Sequence, residues 1–373
     1  MKTNLLKNVK RVVIKVGSRI LTQEDGSIDK KELSSLAKQI TALVKRDIEV
    51  ILVSSGAVAA GRNKLNLKDK LKTLPEKQAA AAIGQSELMK IYNYYFNKNN
   101  LFTGQILLTY SDLKDKQRYL NACNTIEKLL SYRIVPIINE NDTVSTDEIK
   151  FGDNDKLSAL VTTLLRADLL LILSNVDGLY ARSEKDEKQK VIREVKTIDQ
   201  NIKQLIYKTD HWATTGGMES KLAAAKIVTS AGEPVIIANG RKRNIILDIF
   251  KGKEIGTIFL PQQKKRMESR KRWIAFSSHP QGEIIVDEGA EKALKTKGKS
   301  LLPSGITDIN GSVKAGDTVR ILNKKKEEFA RGLVNYSSQD ISKIKGFKTS
   351  EIEKLLGARN YDEVIHRDNL VLL

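Results

Sequence analysis

The chain has 373 residues, 40% of them hydrophobic and 29% charged, and a formal net charge of +19; that length exceeds one ordinary core and predicts two domains. Its single cysteine, Cys123, excludes an intrachain disulfide and any multi-cysteine metal site, and reads as a small buried hydrophobe. The basic excess is spread, with +12 over residues 1–263, +5 over 264–273 and +2 over 274–373, so a lysine-rich usage explains it as well as a phosphate-binding stripe would.

At the start, Lys2, Lys7, Lys10 and Arg11 break the sequence before an apolar run could serve as a signal peptide, and no transmembrane-length stretch follows. A cytoplasmic location with no membrane partner is the expectation. Strand-like runs then alternate with helical patterns: Val12 to Val16, Val50 to Val53, Ile106 to Leu108, Ile134 to Ile138, Leu169 to Leu173 and Val235 to Ala238. Asp29 with Glu32 resembles a capping box for a helix running to about Arg46, and Pro75 is placed to open a long helix through Phe96. This alternation predicts a three-layer αβα sandwich with a mostly parallel central sheet over residues 1–260, because parallel neighbours need crossover connections. Pro261 and the charge run Lys264 to Arg272 read as a basic linker, 261–275. Beyond it, short β-type segments between Gly282, Gly298, Gly305, Gly311, Gly316 and Gly332 predict a small β-barrel-like domain over 276–373.

Chemistry concentrates at strand ends. Lys15 ends the first strand beside Gly17, so a fixed positive charge stands at a turn whose amides can face an anion. The second strand ends in Ser54-Ser55-Gly56-Ala57 and runs into a helix, which suits an anion or an ordinary N-cap about equally. After the fourth strand, nine of the seventeen positions from Asn139 to Asp155 are carboxylates or carboxamides. That local reversal of sign lies where ligands bind in open α/β sheets, at the carboxyl end of a strand, and the next helical pattern begins at Lys156. Thr215-Gly216-Gly217-Met218-Glu219-Ser220-Lys221 is a second glycine turn opening a helix, with a lysine one turn inside it. No GxxxxGK[ST] or GxGxxG motif occurs, so these parts point to phosphoryl transfer without a P-loop, a reaction that asks for positioning and positive charge. His211, His279 and His366 lack metal-ligand spacing, and Ser55 lacks a GxSxG elbow, which weakens metal and hydrolase readings.

The ordered set Lys15-Val16-Gly17-Ser18, Ser54 to Gly61, Ile138 to Asp142, Gly152 to Asp155 and Gly216-Gly217-Met218 resembles the glutamate 5-kinase family of the amino acid kinase superfamily. Residues 286–290, 300–303, 331–336 and 365–370 are similar to the PUA domain that many of these enzymes carry. The resemblance implies ATP-dependent phosphorylation of the γ-carboxylate of L-glutamate, the first step toward proline, with Mg²⁺ accompanying the nucleotide and no metal site built by the protein. It implies Lys15 and Lys221 on the moving phosphoryl group, Asp155 holding the lysines, and Ser55, Asp142 and Asn154 binding glutamate. Lys15, Ser174, Asn175 and the segment Thr215, Gly216, Gly217, Met218, Glu219, Ser220 and Lys221 would bind the nucleotide. Asn175 stands where the family often has aspartate, Thr214 where glycine is frequent and Ser220 where threonine is usual. Proline as feedback inhibitor, a homodimer or homotetramer, and a glutamyl phosphate reductase that consumes the labile product are further implications. The rival activities are kinases of aspartate, N-acetylglutamate or a nucleoside monophosphate on the same fold, and RNA binding by the C-terminal domain, which its near-neutral charge supports poorly.

Overall fold

In this computed structural model the described residues are 2–23, 25–67, 71–144, 153–181, 190–200, 202, 217–262, 267–358 and 360–373. They form two compact units, Met1–Leu113 with Gln117–Arg266, and Lys114–Lys116 with Met267–Leu373.

The larger unit is built on β1 (Arg11–Val16), β2 (Glu49–Ser54), β3 (Thr103–Leu108), β4 (Val135–Glu140), β5 (Leu169–Ser174), β6 (Leu179–Tyr180), β7 (Val191–Ile192), β8 (Glu194–Val195), β9 (Val235–Asn239) and β10 (Thr257–Phe259). Eight of these make one sheet in the order β3-β4-β2-β1-β5-β9-β10-β8, while β6 and β7 pair separately. From β3 to β9 every neighbour is parallel, and only β10 turns antiparallel against β9. The inner strands β1, β2 and β5 are nearly continuous apolar runs because helices cover both faces. On one face Val12, Ile14 and Val16 pack with α1 (Lys30–Val44) and α3 (Leu74–Asn97), which follows α2 (Ala57–Lys64). On the other lie α4 (Lys116–Ser131), whose Glu127 pairs with Arg11 of β1, α5 (Asp153–Leu164) and α6 (Met218–Ser230), with α5 against β1, β2, β4 and β5.

Local chemistry sets these boundaries. Asp29 caps α1 by accepting from the Lys31 and Glu32 amides. The α3 start is fixed by a reciprocal Thr73–Glu76 capping box, with Pro75 at the first turn, where its missing N–H costs no bond. Two glycines let α2 and α3 cross backbone to backbone: a Cβ at Gly61 would lie 1.7 Å from the Ala80 carbonyl oxygen, and one at Gly84 1.8 Å from that of Ala57. Gly84→Ala is expected to push the helices apart and destabilise the domain by about 1–3 kcal/mol, roughly 2–4 °C of Tm per kcal/mol, which thermal unfolding would show.

The smaller unit is a five-stranded mixed sheet of β11 (Gly282–Val286), β12 (Ile306–Asn310), β13 (Thr318–Leu322), β14 (Glu328–Leu333) and β15 (Leu370–Leu372), in the order β12-β11-β13-β14-β15. Gly298, Gly311 and Gly316 occupy left-handed backbone at turns, as their spacing suggested. Gly282 and Gly332 instead lie inside strands, Gly332 because Ile365 leaves no room for a side chain there. The charge run also differs from a plain linker: residues 269–277 are helical, Arg272 is fully buried, and its Nε donates to the Met267 carbonyl.

Candidate active site

Strand register decides where Lys15 points. Val12, Ile14 and Val16 face α1 and α3, so Lys15 faces the opposite side, where α5 lies over β1. Among the described residues α5 is already helical at Asp153, three residues before the apolar pattern. Asn154 and Asp155 therefore sit on a helix rather than in a loop.

Lys15, Asp155 and Lys221 meet there. Lys15 Nζ is 2.6 Å from Asp155 Oδ1, Lys221 Nζ is 3.1 Å from Oδ2, and the Ser220 hydroxyl donates to Oδ2 at 2.7 Å. All three charged groups are buried, Asp155 to within 1% of full exclusion from solvent. Burial alone would raise the Asp155 carboxyl; the charges of Lys15 and Lys221 outweigh it and hold the group below the usual carboxylate range. Burial pulls the Lys221 ammonium below its ordinary value, against Asp155, and Lys15 and Arg19 add to the pull. Among the described residues two lysines meet one carboxylate here, an excess of positive charge suited to an incoming anion. Arg19, whose charge reaches Lys221, was not picked out from the sequence.

On the β2–β4 side, the Asn154 side-chain amide donates to Ser55 Oγ at 2.8 Å, to the Ser54 carbonyl at 3.1 Å and to Asn139 Oδ1 at 3.0 Å. Asn139 donates in turn to Gln85 Oε1 at 2.8 Å, and the Ser54 hydroxyl bonds the buried Tyr92 hydroxyl at 2.9 Å. Asp142 follows β4 by two residues; burial and then the charge of Glu140 raise its carboxyl to about 6. Gln85 and Tyr92 escaped the sequence reading. The signal was there for Gln85, a polar residue on the apolar stripe Ala81, Gly84, Leu88, Met89 and Tyr92 of α3.

On the other side of β1, Ser174 and Asn175 close β5, with Ser174 paired in register to Asn239 of β9. The N-cap of α6 is Gly217, with no side-chain cap among the described residues, and a helix N-terminus of this kind suits an anion. Met218 is half-buried, Glu219 is exposed, and Ser220 and Lys221 turn toward Asp155. Thr214, Thr215 and Gly216 lie outside the described residues, as do Asp147, Glu148 and His211. The site thus has two flanks, amides and hydroxyls at β2 and β4 and a helix N-terminus with Ser174 at β5, with the lysines between them. This is also where the chain order reverses about β1, the ligand position in open parallel sheets.

Comparison with known proteins agrees over the whole length. The amino acid kinase family model matches residues 10–239 and the PUA domain model residues 282–356. A glutamate 5-kinase of Thermoanaerobacter sp. (strain X514) is 49% identical, covering 97% of this chain and 98% of its own. One from Trichlorobacter lovleyi is 50% identical over 100% and 99% of the two chains, and one from Syntrophus aciditrophicus 47% identical over 99% and 96%. The chain therefore belongs to the amino acid kinase family, within its glutamate 5-kinases, and carries a C-terminal PUA domain.

Proposed function

We propose that this protein transfers the γ-phosphoryl group of ATP to the γ-carboxylate of L-glutamate, giving L-glutamyl 5-phosphate and ADP, the opening step of proline biosynthesis. The observation that carries the reading is the buried Lys15–Asp155–Lys221 cluster beside the Asn154–Ser55 amide network. A carboxylate acceptor is already ionised near neutral pH, so the reaction needs no general base. What it needs is positive charge on the equatorial oxygens of the phosphoryl group as it moves between two anions. Lys15 and Lys221 supply that charge, and Asp155 fixes both ammonium groups while its own oxygens stay engaged. Ser55, Asn154 and Asp142 hold the amino acid; Ser174, Asn175 and the turn from Thr215 to Lys221 hold the nucleotide. Magnesium arrives as MgATP. With both Asp155 oxygens on lysines, the ion would rest on the phosphates and water, which suits its preference for few protein ligands.

Domain limits of 1–260 and 276–373 with a basic segment between them, inhibition by proline at the glutamate pocket, and a homodimer or homotetramer belong to the same reading. A reductase that consumes the labile acyl phosphate would be the functional partner, in the cytoplasm. Among the described residues no helix is long and apolar enough to cross a membrane. The PUA domain would be architectural or regulatory.

Initial rates of ADP release with glutamate, aspartate and N-acetylglutamate, each with and without proline, test the assignment. Glutamate should be the best acceptor; a higher kcat/KM for either rival would refute it.

The raised Asp142 carboxyl gives a pH signature. Only its ionised form attracts the α-ammonium, and the free group protonates as the pH falls through about 6. The kcat/KM for glutamate should therefore drop below pH 6, while KM for ATP stays level. Asp142→Asn should lower kcat/KM by roughly 10–100-fold, the worth of a charge-assisted hydrogen bond, and flatten the acid limb. A wild-type limb persisting in that variant would assign the titration elsewhere.

A further inference from the structure

Three side-chain amides run in line under the acceptor flank, and backbone groups dictate which way each one faces. The Glu140 N–H, which can only donate, bonds Asn139 Oδ1 at 2.9 Å. Asn139 Nδ2 is thereby turned to Gln85 Oε1 at 2.8 Å. At the other end the Ser54 carbonyl, which can only accept, takes Asn154 Nδ2 at 3.1 Å, and the same nitrogen reaches Asn139 Oδ1 at 3.0 Å. Reversing Asn139 would set its Nδ2 against the Glu140 N–H. Reversing Asn154 would set oxygen against the Ser54 carbonyl, and reversing Gln85 would set its nitrogen against Asn139 Nδ2.

The polarity of the row is therefore fixed, and it leaves two groups over. Asn154 Oδ1, an acceptor, and Gln85 Nε2, a donor, are both buried and have no hydrogen-bond partner among the described residues. Gln85 as a whole is 8% exposed, on α3 one residue after the glycine that lets that helix touch α2. Buried amide groups are met by protein, water or a ligand, and these two belong to the network that holds Ser55 and Asn154. An acceptor at one end of the row and a donor at the other match the α-ammonium and α-carboxylate of one amino acid.

We propose that Gln85 is a specificity-determining residue of the acceptor site, whose Nε2–H donates to the α-carboxylate of the substrate, held in that sense by Asn139. The proposal rests on the reading of this flank as the glutamate pocket. Gln85→Glu keeps an acceptor for Asn139 and replaces the outward donor with an anionic oxygen. It should repel glutamate and accept instead from the amide N–H of L-glutamate 1-amide, the analogue whose α-carboxylate is a carboxamide. Asn139→Asp should produce the same change without touching Gln85. Its carboxylate still accepts from Glu140 and Asn154 but demands a donor from Gln85, turning that amide over so that oxygen faces the substrate.

The experiment measures kcat/KM for glutamate and for its 1-amide, with KM for ATP and Tm, in the unaltered protein and both variants. Each variant should raise the ratio of 1-amide to glutamate by about tenfold or more, with KM for ATP unchanged. A residue that merely fills the core would lower both substrates together and leave the ratio where it was, which overturns the proposal. If Gln85→Glu does not fold, Asn139→Asp alone decides by the same ratio. Failure of the unaltered protein to use glutamate would instead refute the function, a result visible before any variant is made.

Discussion

Lys221→Ala should lower kcat by about 10²–10³-fold while changing the KM for glutamate little, and Lys15→Ala should do the same. Both ammonium groups are buried and share one carboxylate, so neither is a surface lysine whose loss solvent would cover. Their contribution grows as charge shifts from the nucleotide to the acceptor, which places the loss in kcat rather than in binding. Arginine should not rescue either position, because a planar fork cannot occupy the space of a compact ammonium at 2.6 Å and 3.1 Å from Asp155. Steady-state rates of ADP release at saturating glutamate and ATP check this, and an unchanged kcat in both alanine variants would remove the lysines from the phosphoryl path.

Asp155→Ala should cost both activity and stability. It removes the carboxylate that both Lys15 and Lys221 contact in a buried place, and breaking a buried ionic cluster from one side costs about 3–5 kcal/mol. The native carboxyl is held below the usual range, so its contribution is fully present above the unfolded value of about 3.9 and is lost as the pH falls through the lower native value. Near neutral pH the variant should therefore unfold at clearly lower denaturant, and the gap should close only in strong acid. Urea titrations at pH 7 and in acid measure it; equal midpoints at pH 7 would mean that the lysines need no anion to stay in place. Asp155→Asn is the milder companion, since it can still accept from one lysine.

Much of the sheet was legible because its inner strands are buried on both faces and read as uninterrupted apolar runs, such as Leu169 to Leu173. Ends were less so. The helical state of Asp153, Asn154 and Asp155 was hidden because they are polar and carry no apolar periodicity. The meeting of Lys15, Asp155 and Lys221 spans more than 200 residues of sequence, and no local spacing encodes it; only the resemblance grouped them, and the register of β1 under α5 explains how they come together. Tyr92 gave no sign, since a Tyr on an apolar stripe is ordinary core packing, and Gln85, though conspicuous on that stripe, carries no local hint of its partner. Their contact with Asn139 and Ser54 depends on the crossing of α2 and α3 that Gly61 and Gly84 permit.

The central claim, transfer to the side-chain carboxylate of glutamate, is tested most directly by trapping the product. With ATP, Mg²⁺, glutamate and hydroxylamine, an acyl phosphate yields a hydroxamate, and mass spectrometry locates it. Glutamyl 5-hydroxamate should form in step with ADP, with none in the Lys15→Ala and Lys221→Ala variants beyond their residual rate. ADP released without hydroxamate, or a hydroxamate formed on the α-carboxyl, would contradict it.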